Sequence, residues 1–289
     1  MMTGELHAGT GLDYSSIKDF LDTKADLYNR PSFIERDPIS IPHRFSRKQD
    51  IEIMGFWSAV LAWGQRSVIL KKAAELVEHM DGSPYDFVRN HQESDLKRFL
   101  AFKHRTFNAT DALYFLHFFH QYYQDNDSLE NAFVPAWSGI PALAAESNRT
   151  SGSKSAAEAG MPDHAGTALI NFHDRFCQDP FFPDRTRKHI ATPARNSSCK
   201  RLLMFLRWMV RQDDRGVDFG LWTRLTPDQL VIPIDVHVNR VSRQLGLLTR
   251  QQTDWKAALE LTQTLRRFDP TDPVRYDFAL FGLGVEGEL

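Results

Sequence analysis

Ile232 to Arg243 reads IPIDVHVNRVSR. The apolar run that feeds it, Leu230 to Ile234, is short and broken by Pro233, which suits a buried connection better than a regular element. Asp235 then stands where a helix can start, with a side-chain oxygen able to accept from the first free backbone amides. Val238, Val241 and Leu245 recur at helical spacing as an inner face, and Gly246 supplies the stop. Arg240 and Arg243 fall outside that stripe.

The same pattern extends on both sides. Upstream, Asn196-Ser197-Ser198 offer capping side chains for a helix over Cys199 to Gln212 (CKRLLMFLRWMVRQ), whose Leu203, Leu206 and Val210 form an apolar stripe. Lys200 therefore lies in a first helical turn, where the positive end of the helix dipole disfavours an ammonium. A neutral amine is a nucleophile. Downstream, Gln252 to Arg267 predicts an amphipathic helix with Trp255, Ala258, Leu261 and Leu265 inside, and the chain closes with RYDFALFGLGVEGEL after a Pro-rich turn.

Further upstream, Ile51 to Gly64 (IEIMGFWSAVLAWG) predicts a helix stopped by Gly64, so Gln65 sits in a tight turn. Ser67 can then cap a helix over Val68 to Met80. Asp111 to Tyr123 is aromatic enough to be a core helix; His117 and His120 share a face there, but without an acidic or cysteine partner nearby no metal is expected. Residues 144–165, small and polar, read as a disordered loop, with regular pattern resuming over Gly166 to Cys177. Strand patterns are nearly absent, so the expected class is all-α.

Composition narrows the setting. The chain has 289 residues, enough for a sizeable core, and two cysteines, too few and wrongly spaced for a disulfide scaffold. No secretory leader or membrane-length apolar run is present, so a cytoplasmic, membrane-free protein is expected. Net charge is −2, which argues against a globally basic nucleic-acid binder. Yet Arg185 to Arg250 holds thirteen Lys or Arg against five Asp or Glu, a local excess that can face phosphates or simply solvate a helical surface.

With these residues in view, Ile232 to Arg243 resembles the endonuclease III signature, an apolar stretch leading into V-D-T-H-x-x-R-V, at Asp235, His237, Arg240 and Val241. AVLAWGQRS (Ala59 to Ser67) resembles the L-L-S-A-Q-A-T-D turn of those helix-hairpin-helix DNA glycosylases, with Gln65 on their glutamine. Lys200 resembles, by order and helix position, the lysine of their G-V-G-x-K-T-A hairpin. The hairpin glycines are replaced by Asn196-Ser197-Ser198, and Lys200 and Asp235 are 35 residues apart, a longer and more irregular arrangement closer to archaeal 8-oxoguanine glycosylases. The chain as a whole also resembles a widespread bacterial family in which the segment around Asp235 recurs.

The resemblance implies two helical lobes with an interlobe cleft, 50–215 forming one and 1–49 with 225–289 the other. It implies Lys200 and Asp235 as the catalytic pair, with Gln65, Ser197, Ser198, His237 and Arg240 contacting DNA or base. The partner is then duplex DNA with a damaged base, met by a monomer that excises the base and cleaves the abasic site. No cofactor is expected: the cysteines of the iron-sulfur cluster are missing, since nothing after Cys199 can ligate iron. Trp57, Trp63 and Trp208 are candidates to stack on an extruded base, core packing being the competing expectation. The alternative function is a non-catalytic DNA-binding protein on the same fold, favoured by the near-neutral charge and the missing glycines.

Overall fold

Asp235 caps its helix as the sequence predicts: Oδ1 accepts from the amides of His237 and Val238, both at 2.9 Å. The computed structural model describes residues 13–135 and 163–289. Twelve α-helices lie among them: α1 (Tyr14–Tyr28), α2 (Pro31–Ile34), α3 (Lys48–Val60), α4 (Arg66–His79), α5 (Pro84–Asn90), α6 (Ala109–Asp125), α7 (Glu130–Phe133), α8 (His164–Cys177), α9 (Lys200–Val210), α10 (Val236–Gln244), α11 (Trp255–Arg266) and α12 (Tyr276–Glu286). Short 3₁₀ turns join several of them and no sheet is present among the described residues, so the fold is all-α.

Helix α3 lies at the centre of the core, buried on every face from Ile51 to Val60. Phe56 meets Phe205 of α9 edge-on (centroids 5.5 Å) and Phe119 of α6 likewise (5.6 Å), so one ring fixes the axis of α3 against two neighbours. Residues distant in sequence close the far side, where α12 packs against both α1 and α10. Gly284 permits that approach: a Cβ there would stand 2.6 Å from the Cβ of His237. Any larger residue would push α10, and with it Asp235, away from α12.

Buried charge ties these helices together. Arg207 of α9 and Arg211 just after it reach Asp218, Asp277 of α12 pairs with Arg207, and Asp272 accepts from Arg211 Nε at 2.8 Å. Each guanidinium lies over Phe278, at 4.4 and 5.4 Å. Elsewhere Asp111 accepts from Arg185, the Thr186 hydroxyl (2.8 Å) and the Asn108 amide (2.9 Å), with His189 close by. Burial alone would raise its carboxyl, but these donors outweigh it and hold Asp111 at about 2. A lowered carboxylate contributes stability above its unfolded value near 4 and loses it as pH falls toward 2. Asp111→Asn is therefore expected to lower the urea midpoint at pH 6 and to lose less than wild type between pH 4 and 2.5.

Several boundaries differ from the sequence reading. Gln65, not Ser67, is the residue before α4, which starts at Arg66, because Gly64 (φ +106°) turns the chain at once. Cys199 precedes α9 in the left-handed region (φ 51°) and contributes no side-chain cap, so Asn196, Ser197 and Ser198 do not cap it. The loop expected over 144–165 lies outside the described residues as far as 162; Asp163 then caps α8 from His164. No helix among the described residues is long and apolar enough to cross a membrane.

Candidate functional site

Three helix starts and one helix face converge on a cleft of about 620 Å³. Its lining includes Trp63, Gly64 and Arg66 from the turn into α4, Lys200 and Arg201 from the start of α9, Asp235, Val236 and His237 from the start of α10, and Asp277 and Phe281 from α12. Asp37 and Phe33 close it from the N-terminal side.

Lys200 is the first residue of α9, and Met204 and Arg207 follow it on the cleft side at the i+4 and i+7 positions. No hydrogen bond or ion pair engages its amine among the described residues, although Asp37 and Asp277 sense its charge. Asp235, also in the lining, uses Oδ1 for both cap bonds, which leaves Oδ2 without a donor among the described residues. His237 Nδ1 donates to the Gly284 carbonyl at 3.0 Å.

The remaining predicted residues fall outside the lining. Gln65 is exposed at the rim between lining residues Gly64 and Arg66. Ser197 and Ser198 belong to the turn before Lys200. That turn is fastened inward: Ser197 bridges to Asp254, and Asn196 Nδ2 donates to the Asp254 carboxylate at 2.9 Å. Arg240 is exposed and donates to the Gly284 carbonyl at 2.8 Å. Of the three tryptophans, Trp57 and Trp208 are fully buried in the core and Trp63 alone lines the cleft.

Sequence reasoning missed Asp37, Arg66, Arg201, Asp277 and Phe281. Asp277 did carry a local signal, an acid at the head of the apolar run FALFG, where only a partner justifies it. Burial pushes its carboxyl up, Arg207 pulls against that, and Asp235 adds to the rise. Burial likewise raises Asp37, against its cap bond from the Ile39 amide and the charges of Arg207, Lys200 and Arg66. The cleft thus sets cations on α4 and α9 against carboxylates from the N-terminal side, α10 and α12. Such a site can hold a polar ring between an amine and an acid. Among the described residues no group of three or more His, Cys, Asp or Glu is placed to hold a metal. His117 pairs instead with Asp179 at 3.1 Å, and His120 bonds the Val88 carbonyl at 2.8 Å.

Fold and site together define an all-α protein with one amine and one capping carboxylate brought from separate helix starts to a shared cleft. Residues 37–286 match the family described as Protein of unknown function (DUF2400), and the chain belongs to that family. No curated protein and no solved structure matches it.

Proposed function

We propose that this chain is a helix-hairpin-helix DNA glycosylase with abasic-site lyase activity, its two helical lobes meeting across the cleft. The observation that carries the reading is the arrival of Lys200 and Asp235, 35 residues apart, in one cleft, the amine unpaired and the carboxylate with one oxygen free. An extruded base enters beside Trp63 and Phe281 while Gln65, at the rim, fills the gap it leaves. The Lys200 amine attacks the sugar C1′ carbon. The N–C1′ bond forms as the glycosidic bond breaks, and the base departs with the bonding pair and takes up a proton. Asp235 stabilises positive charge growing on the sugar and receives the proton that the amine sheds. Ring opening gives a Schiff base, and loss of a C2′ proton then expels the 3′ phosphate.

Borohydride reduction in the presence of abasic-site duplex tests this. Wild type is expected to give a covalent adduct on denaturing gels and Lys200→Ala none; absence of the wild-type adduct, or its persistence in the variant, overturns the proposal. The inward fastening of the Ser197 turn to Asp254 supports a second reading, a DNA-binding protein without chemistry, because that turn then has less backbone to offer a phosphate. Salt-dependent duplex affinity with no base release, indifferent to Asp235→Asn, is its expected result.

A further inference from the structure

The cleft holds one half-buried guanidinium whose surroundings differ from those of the two buried ones on the same side of the core. Arg207 and Arg211 each face two or more carboxylates within 4 Å. Arg201, next to the candidate nucleophile, faces none. Its Nη1 donates to the Val60 carbonyl at the end of α3, its Nη2 donates to the His189 carbonyl at 3.4 Å, and its guanidinium lies 4.8 Å from the Trp63 ring centre. Burial alone acts on it and pushes its pKa down to about 10. Two carbonyl bonds use two of five N–H donors, and the side chain lines the open cleft.

Even half-buried, a guanidinium balanced only by carbonyl dipoles is costly, and an apolar side chain of similar length would pack there at less expense. The retained charge and spare donors fit an anion that is absent when the cleft is empty. Arg66, across the Trp63 turn, also lines the cleft with no carboxylate of the described residues within ion-pair distance, though Asp37 senses its charge. Guanidinium forks match the paired oxygens of a phosphate.

We infer that Arg201 is the anchor of a phosphate-ester subsite beside Lys200, with Arg66 on its other flank. The chemistry of the subsite follows from the cleft. That the ester belongs to a DNA strand rests on the glycosylase reading, in which the phosphate next to the attacked sugar lies within reach of the residue after Lys200.

The test uses the full chain and a duplex carrying one tetrahydrofuran abasic analogue, which binds without reacting. Each phosphate contact adds about 0.9 to the slope of log affinity against log salt. Arg201→Met is expected to flatten that slope by about 0.9, and Arg201→Lys, which keeps the charge, to restore most of it. Arg201→Gln, retaining an N–H for the Val60 carbonyl, serves where Arg201→Met unfolds. A residue that only fastens α9 to α3 would lower the thermal midpoint and leave the slope unchanged. Calorimetry with a deoxynucleoside 5′-monophosphate separates the two sources. Nucleotide binding lost in Arg201→Met or Arg201→Gln, with no duplex binding by wild type, keeps the subsite and removes the DNA reading. Equal slopes and equal nucleotide affinities in wild type and the neutral variants overturn the subsite and leave the borohydride result to judge the glycosylase. Failure of wild type to bind either ligand overturns it as well.

Discussion

On the proposed glycosylase reading, Asp235→Asn is expected to leave the protein folded and to slow base release by about 10²- to 10³-fold. Asparagine caps a helix as well as aspartate does, and its amide oxygen can take the two 2.9 Å bonds from the His237 and Val238 amides. Stability should therefore stay within a few tenths of a kcal/mol of wild type. What disappears is the negative charge on the second oxygen, the one that no hydrogen bond among the described residues engages. A fixed charge aimed at a growing opposite charge in a water-poor site is worth about 3–4 kcal/mol of barrier, each 1.36 kcal/mol being tenfold in rate.

Asp235→Ala separates the two roles of this side chain. It removes the cap as well, at about 1 kcal/mol of stability, with a rate loss no smaller than that of the asparagine variant. Single-turnover base release and thermal unfolding, measured on both variants, make the comparison. An asparagine variant as fast as wild type would show that Asp235 only caps, and a variant as unstable as the alanine one would show that the cap needs the charge.

Asp235 was legible as a cap because it leaves a local mark: an acid after an apolar run, followed by Val238, Val241 and Leu245 at helical spacing, with all three buried in the fold. Lys200 was legible by order and helix position. Arg201, Asp37 and Asp277 were not, because what makes them matter is convergence: Asp37 and Asp277 lie at opposite ends of the chain and meet only when α12 packs against α1 and α10. The tryptophans show the same limit. Each sits in an apolar stretch, and only burial separates Trp57 and Trp208 from Trp63. Cys199 failed for another reason: a left-handed residue other than glycine has no sequence cue, so the start of α9 slipped by one residue and its cap was misassigned.

The largest loss of stability is expected from Glu52→Ala, at about 3–5 kcal/mol, a large share of the 5–15 kcal/mol that holds a typical domain together. Glu52 is fully buried in α3, yet both oxygens are served. Oε1 accepts from the Ser128 hydroxyl (2.6 Å) and Trp222 Nε1 (2.7 Å), and Oε2 from the Tyr123 hydroxyl and the Leu129 amide, both at 2.9 Å. Burial raises its carboxyl and these four donors pull it back. They come from α6, from the turn before α7 and from the segment after α9, so a single carboxylate fastens three parts of the chain to the central helix. Alanine strands all four donors and opens a cavity. Glu52→Gln keeps one acceptor oxygen but turns an NH₂ toward donors of which the hydroxyls can rotate and the Trp222 and Leu129 N–H groups cannot, so its expected cost is smaller, about 1–3 kcal/mol. Urea unfolding at neutral pH should rank wild type above Glu52→Gln above Glu52→Ala. An alanine variant within 1 kcal/mol of wild type would contradict the fastening role. Equal losses in the two variants would mean that the negative charge, rather than the number of acceptors, is what the surrounding donors require.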